Sequence, residues 1–538
     1  MDARDSASRR SKDKDKSVPK RSRYEDAVQA LDEALKIDPK DAAAWISKGI
    51  ILINLGKNDA AIVALDESLK LDPQDAVAWA SKTTALINLG RNEEALQTVD
   101  SALLIEPRDV AAWSSKGVAL AGLHRYEESL QALEKALGLD PKDGLAWVTK
   151  GTALINLGKN DAALEAIHSA LSIQPKDATA WSMKGVALAN IHRYEEALQA
   201  LDKALDINPK DPLAWTSKGT VLINLGRNRE AVQALDKALS IHPKDAASWS
   251  SKGVALANLG RNEEALQAQD KALAIHQGDA AAWTSKGAIL SNLSRYEEAL
   301  QALGKALSID PKYAMAWTNK GAVLINLDRY EEALQTLDKA LDMDSRHASA
   351  WMNKGTVLIN LGRHEEAVQA LGKASDLDPQ NVSVWINKAA SLMNLSRPEE
   401  ALKALDKALE LDPRHGTAWR RKGVILINLG RDKEALNALD EAQAINPGDT
   451  TLWSGKGTAL ANLERYEEAL QALDRALALD RKDPTTLINK GTVLINLGKE
   501  EEALLALDEA LAIDPGNALA WRRKGSALMN LGRGEEAR

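Results

Sequence analysis

The stretch Trp181-Ser182-Met183-Lys184-Gly185-Val186-Ala187-Leu188-Ala189-Asn190-Ile191 decides the reading of the whole chain. Trp181, Gly185, Leu188 and Ile191 follow one another at spacings of four, three and three, which puts them on one face of a helix. Asp177, just upstream, suits an N-cap. After a turn at His192-Arg193-Tyr194 a second helix opens with Glu195 and Glu196, carboxylates well placed at the positive end of a helix dipole. Ala197, Leu201, Ala204 and Leu205 form its apolar stripe, and Asn208-Pro209 ends it because proline cannot continue the hydrogen-bond ladder.

The pattern returns. Trp45, Trp79, Trp113, Trp147, Trp181, Trp215, Trp249, Trp283, Trp317, Trp351, Trp385, Trp419, Trp453 and Trp521 are each 34 residues, or a multiple of 34, from the next, and Leu487 fills the one missing slot. A fixed period in this range signals a solenoid, whose units are too small to bury their apolar faces alone and must stack. The expected fold class is all-α, an α-solenoid of about thirty helices over residues 23–538. Gly185 costs about 1 kcal/mol of helix propensity against alanine. Its return in 13 of 15 copies therefore predicts a neighbouring helix too close for a side chain; Thr83 and Ala389 are the exceptions.

The unit resembles the tetratricopeptide repeat family over residues 23–538: Trp181, Gly185, Ala197, Ala204 and Pro209 sit at the family's spacings, repeated in register. The family's usual aromatic residues are replaced by Leu188 and Leu201. The resemblance implies antiparallel helix pairs in a right-handed superhelix, with the first helix of each pair lining a concave groove that holds a peptide or another protein.

The stripe this resemblance assigns to the groove is Thr179, Ser182, Val186, Ala189 and Asn190 in the Trp181 unit. Across all copies of these slots only Arg420 and Arg522 are charged. Asparagine recurs in the last slot: Asn54, Asn88, Asn156, Asn190, Asn224, Asn258, Asn292, Asn326, Asn360, Asn394, Asn428, Asn462, Asn496 and Asn530, with Gly122 the one gap. Such a ladder can grip the backbone of an extended peptide, since each amide offers a donor and an acceptor. Equally, an asparagine near a helix end can satisfy stray carbonyls. Arg420, Arg421, Arg522 and Arg523 are the candidate anion contacts. The carboxylate clamp of chaperone-binding relatives finds only Asn387 with Arg421 and Asn489 with Arg523, without the clamp's lysines. The asparagine ladder of protein O-glycosyltransferases is matched only at Asn319, Asn353, Asn387 and Asn489.

Lys48, Lys116, Lys184, Lys252 and their equivalents fill every copy of the slot three residues after the Trp position. A buried unpaired lysine would cost several kcal/mol. Ion pairs to residues such as Asp202 and Asp236 are expected, with anion binding as the alternative. Two copies break the pattern: Gln269 and Gln277 replace Leu and Pro in the Trp249 unit, and Arg481 accompanies Leu487. Both are expected to be soft joints.

The 538 residues carry a net charge of -8, which speaks against a nucleic-acid binder dependent on a basic stripe. The absence of cysteine excludes disulfides and thiolate metal sites. No apolar run approaches membrane-spanning length, so no membrane partner is expected. Ser454-Gly455-Lys456-Gly457 is not a P-loop, and His364-Glu365-Glu366 lacks the second histidine of a zinc helix. No cofactor or metal is expected. Residues 1–22 mix charges with almost no apolar content and read as a disordered leader. The repeats are incomplete at both ends, so a fragment, end-to-end self-association or a missing domain is expected. The sequence points to a cytoplasmic, non-enzymatic interaction scaffold binding an extended partner segment in a neutral groove, with little salt dependence. The alternative is the substrate-recruiting arm of a larger transferase.

Overall fold

The computed structural model describes residues 20–533. Thirty helices, α1 to α30 in chain order, account for nearly all of them. Helix α1 spans Lys20–Ile37, so it starts ahead of the expected boundary at residue 23. The rest of the expected leader, and the incomplete last repeat after Arg533, lie outside the described residues.

Each repeat pairs a Trp-bearing first helix with a second helix, for example α10 (Ala178–Asn190) with α11 (Tyr194–Ile207). Asp177 caps α10 as expected, accepting from the backbone N–H of Thr179 at 2.8 Å and of Ala180 at 3.2 Å. The turn between α10 and α11 needs one residue in the left-handed region. Nine copies use glycine there, with φ between 69° and 74°; His124, His192, Ser294, Asp328, Ser396 and Glu464 take the same conformation at φ 56° to 62°. Past that residue a clamp invisible to apolar periodicity forms: Arg193 donates through Nε and Nη2 to both oxygens of Glu196, at 2.7 and 2.6 Å. It recurs through the array, for example at Arg227–Glu230 and Arg465–Glu468.

A Cβ built on Gly185 would lie 2.5 Å from Leu201 Cγ and 3.2 Å from the Ala197 carbonyl oxygen. Leu201 is fully buried. The close approach expected from the recurring glycine is therefore made by the second helix of the same repeat. At the exception Thr83 the register partner is the smaller Val99, and the threonine hydroxyl donates to the Trp79 carbonyl at 2.9 Å.

The tryptophans are structural. Trp181 Nε1 donates to the Pro175 carbonyl at 2.9 Å, tying the first helix to the loop before it. Lys184 and Lys203 stand over the Trp181 ring, 5.1 and 4.4 Å from its centroid. The lysine ladder is present: Lys218–Asp202, Lys252–Asp236 and Lys354–Asp338 each close at 2.6 Å. His168, Gly304 and Gly372 replace the acid opposite Lys184, Lys320 and Lys388, and those lysines keep the contact with their own tryptophan.

Contacts divide the chain into two units, residues 1–277 and 278–538. Within each unit every helix packs on its sequence neighbours, and all but one of the first helices also meet the first helix of the next repeat, whereas successive second helices do not. A stack tighter on one side than the other curves, so the first helices form the inner face of each unit. The units end and begin beside one expected soft joint. There Gln269 is fully buried, but its amide is satisfied: it donates to the Ser250 carbonyl at 2.9 Å and accepts from the Ser250 hydroxyl at 3.2 Å. At the other joint Leu487 is buried in a cluster with Ile488, Leu507 and Leu511, without the carbonyl bond that the tryptophans make.

Candidate functional site

The groove stripe is narrower than the sequence implies. Ser182, Ser114, Thr284 and Thr318, expected on its wall, are buried, because the next first helix covers that slot. Thr216 on α12 (Pro212–Asn224) shows the contact, its hydroxyl 2.6 Å from that of Ser248 on α14 (Ala246–Asn258). Val186 and Ala189 are half-buried, and Thr179 is exposed.

All fourteen ladder asparagines end their helices with exposed side chains. Their amides are not alike. Asn88, Asn190 and Asn258 donate to Asn58, Asn160 and Asn228 at 3.4, 3.1 and 3.1 Å, while Asn462 and Asn530 donate to Asp432 and Glu500 at 2.9 and 3.4 Å. Each acceptor is the first residue of the second helix in the preceding repeat. Where that residue is Tyr126 or Tyr194 its hydroxyl lies 2.7 Å from His124 or His192 Nδ1, and Asn156 and Asn224 turn back to the Thr152 and Thr220 carbonyls at 2.9 and 3.1 Å. Asn394 does the same to Ala390 at 3.2 Å. Among the described residues Asn54, Asn292, Asn326, Asn360, Asn428 and Asn496 have no side-chain hydrogen-bond partner. At Gly122, the gap in the ladder, a Cβ would lie 2.3 Å from the Asn92 amide nitrogen, so the ladder's missing side chain is replaced by a neighbour's.

The inner face opens in the second unit. Helices α22 (Val382–Asn394) and α24 (Gly416–Asn428) draw apart, unlike the other successive first helices within the units. A cavity of about 280 Å³ lies between them, lined by Ala389, Ala390, Met393, Leu405, Arg420, Arg421, Val424, Ile425 and Thr451. Several of these are groove slots. Arg420 and Arg421 stand at the opening, in two slots that each carry Ser or Thr in seven of the fifteen repeats. Ala389, the second exception to the glycine rule, forms part of the floor.

The four candidate anion contacts differ. Arg420 Nε lies 2.9 Å from Asp449 Oδ2, the N-cap of α26 (Thr450–Asn462), as an ion pair whose N–H is not aimed along the line. Arg421 makes one long hydrogen bond, to the Ile386 carbonyl at 3.3 Å, and has no carboxylate within ion-pair distance among the described residues. Burial first, and the Arg420 charge second, pull its guanidinium below the ordinary arginine range. Arg522, on α30 (Ala518–Asn530), is exposed; Arg523 is half-buried with its Nε unpartnered. The clamp asparagines are already engaged: Asn387 and Asn489 donate to Thr356 and Thr458 at 3.4 and 3.1 Å. Among the described residues Arg421, Arg522 and Arg523 have no carboxylate within ion-pair distance, and of these Arg421 alone lines the opening. Sequence reading had the signal, Ala389 beside Arg420 and Arg421, but not the gap it marks.

Tetratricopeptide repeat models match residues 20–84, 52–117, 110–143, 148–212, 216–282, 280–313, 318–382, 386–450, 433–485, 454–518 and 488–538. The chain belongs to the tetratricopeptide repeat family. No curated protein matches this TPR chain. Among solved structures, the APC/C hetero-tetramer Cut9-Hcn1 aligns over 93% of this chain and 98% of that one, with a TM-score of 0.53 and 18% identity, a likeness of fold. YrrB, a TPR protein with an unusual peptide-binding site, aligns over 35% of this chain and 97% of its own, with a TM-score of 0.32 and 28% identity.

Proposed function

We propose that this TPR protein is a non-enzymatic interaction scaffold, cytoplasmic, whose inner face takes an extended segment of a protein partner. The observation that carries the reading is the row of exposed ladder asparagines along an otherwise packed helix face. Amides without an internal partner, such as Asn326 and Asn360, are ready donors and acceptors for a passing backbone. The concave inner face sets them at the same position in each successive repeat. Family membership supports the reading, since repeat stacks of this kind present extended concave surfaces for binding.

The test is retention of a random amidated dodecapeptide library on the immobilised chain. The triple variant Asn326→Asp, Asn360→Asp, Asn428→Asp removes amide donors that make no internal bond, so folding is expected to be unaffected. Retention should drop severalfold. Equal retention by the variant would show that the groove amides are not the binding surface.

A further inference from the structure

We infer that the opening between α22 and α24 is a specificity pocket for one large apolar side chain with an acidic side chain next to it in the bound segment. The inference rests on the groove reading above and names what the partner must carry. The cavity, at about 280 Å³, falls just under the roughly 300–1,000 Å³ of pockets that hold whole small molecules, a size suited to one side chain. Met393, Leu405, Val424 and Ile425 give it apolar walls.

Charge supplies the second half. Of the two arginines at the opening, Arg420 is neutralised by Asp449 at 2.9 Å. Arg421 is half-buried and spends a single long bond on the Ile386 carbonyl at 3.3 Å. A guanidinium stays protonated whatever its surroundings, so the groove holds one uncompensated cation beside an apolar recess. A side-chain carboxylate fits it better than a chain terminus. A terminal carboxylate needs several converging donors, and here Asn387 is committed to Thr356 and Arg420 to Asp449. The groove stripe also continues beyond the pocket on α26, so a bound chain passes through and does not stop there.

The experiment sequences the dodecapeptides retained by the full chain from two random libraries, one amidated and one with free C-termini. Both libraries are expected to yield a large apolar residue at a fixed spacing from Asp or Glu. Arg421→Gln should abolish the acidic preference, weakening a selected peptide about tenfold or more, while keeping the apolar one. Ala390→Trp, which fills the recess, should do the reverse. Thermal unfolding of both variants checks that they fold. Retained peptides without an acidic preference, a preference that survives Arg421→Gln, or a requirement for a free C-terminus would each overturn the inference while leaving the groove reading intact. Absence of any retained peptide would sink both.

Discussion

Gly185→Ala sets two effects of opposite sign against each other. Alanine improves helix propensity by about 1 kcal/mol. Its methyl, however, would sit 2.5 Å from Leu201 Cγ, and Leu201 is fully buried with the Ala197 carbonyl close behind. Overpacking of this kind costs about 1–3 kcal/mol, and a contact this short belongs at the upper end. The expected net result is a loss of about 2 kcal/mol. The chain carries its own answer to the clash, Thr83 against Val99, both buried. In a Leu201→Val background Gly185→Ala should therefore become neutral or stabilising by up to about 1 kcal/mol. Repeat arrays need not unfold as one unit, so the readout is amide hydrogen exchange in α10 and α11, which reports local opening free energies. Slower exchange for Gly185→Ala in the parent chain, or the same penalty in both backgrounds, would refute the packing argument.

Three further outcomes follow from the geometry. Glu464 holds φ 59° in a turn where most repeats have glycine, so Glu464→Gly should raise local stability by about 0.5–1 kcal/mol in the same exchange measurement, and Gly226→Ala should lower it by about 1 kcal/mol. The arginine at each turn holds its glutamate below the usual carboxylate value of 4.5, first by the hydrogen bond, as Arg193 does for Glu196. A depressed folded pKa gives stability that is full above the unfolded value and lost as pH falls through the folded one. The melting temperature should therefore fall below about pH 4.5, and by less in a variant with several of these glutamates changed to glutamine; equal falls would rule the clamp out. Replacing Arg421 by serine removes a half-buried charge that has one long hydrogen bond, so exchange in α22 and α24 should slow by about 1–3 kcal/mol; unchanged exchange would mean that the charge costs the packing nothing.

Much of the fold was legible because one unit's faces are written fifteen times. The glycine at Gly185 foretold a close contact, Asp177 a cap, and the lysine slot an ion pair with Asp202, each a matter of spacing within two adjoining helices. What the sequence did not reveal depends on how near one repeat comes to the next. Ser182 shares a helical face with Asn190, yet it is covered by the next repeat and Asn190 is not. The parting of α22 and α24 is likewise a property of the space between units. The bidentate Arg193–Glu196 clamp was missed because its residues looked like ordinary surface charge.

The choice of residue that opens each second helix reaches further than its own repeat. Where it is Asn160, Asn228 or Asp432, the following rung is already held by an intramolecular latch, which a chain bound as proposed would have to break first. Where it is Tyr296 or Tyr330, Asn326 and Asn360 stand unlatched. The ladder is therefore a row of amides held to unequal degrees, and the degree is set from the neighbouring repeat, by the residue that opens its second helix.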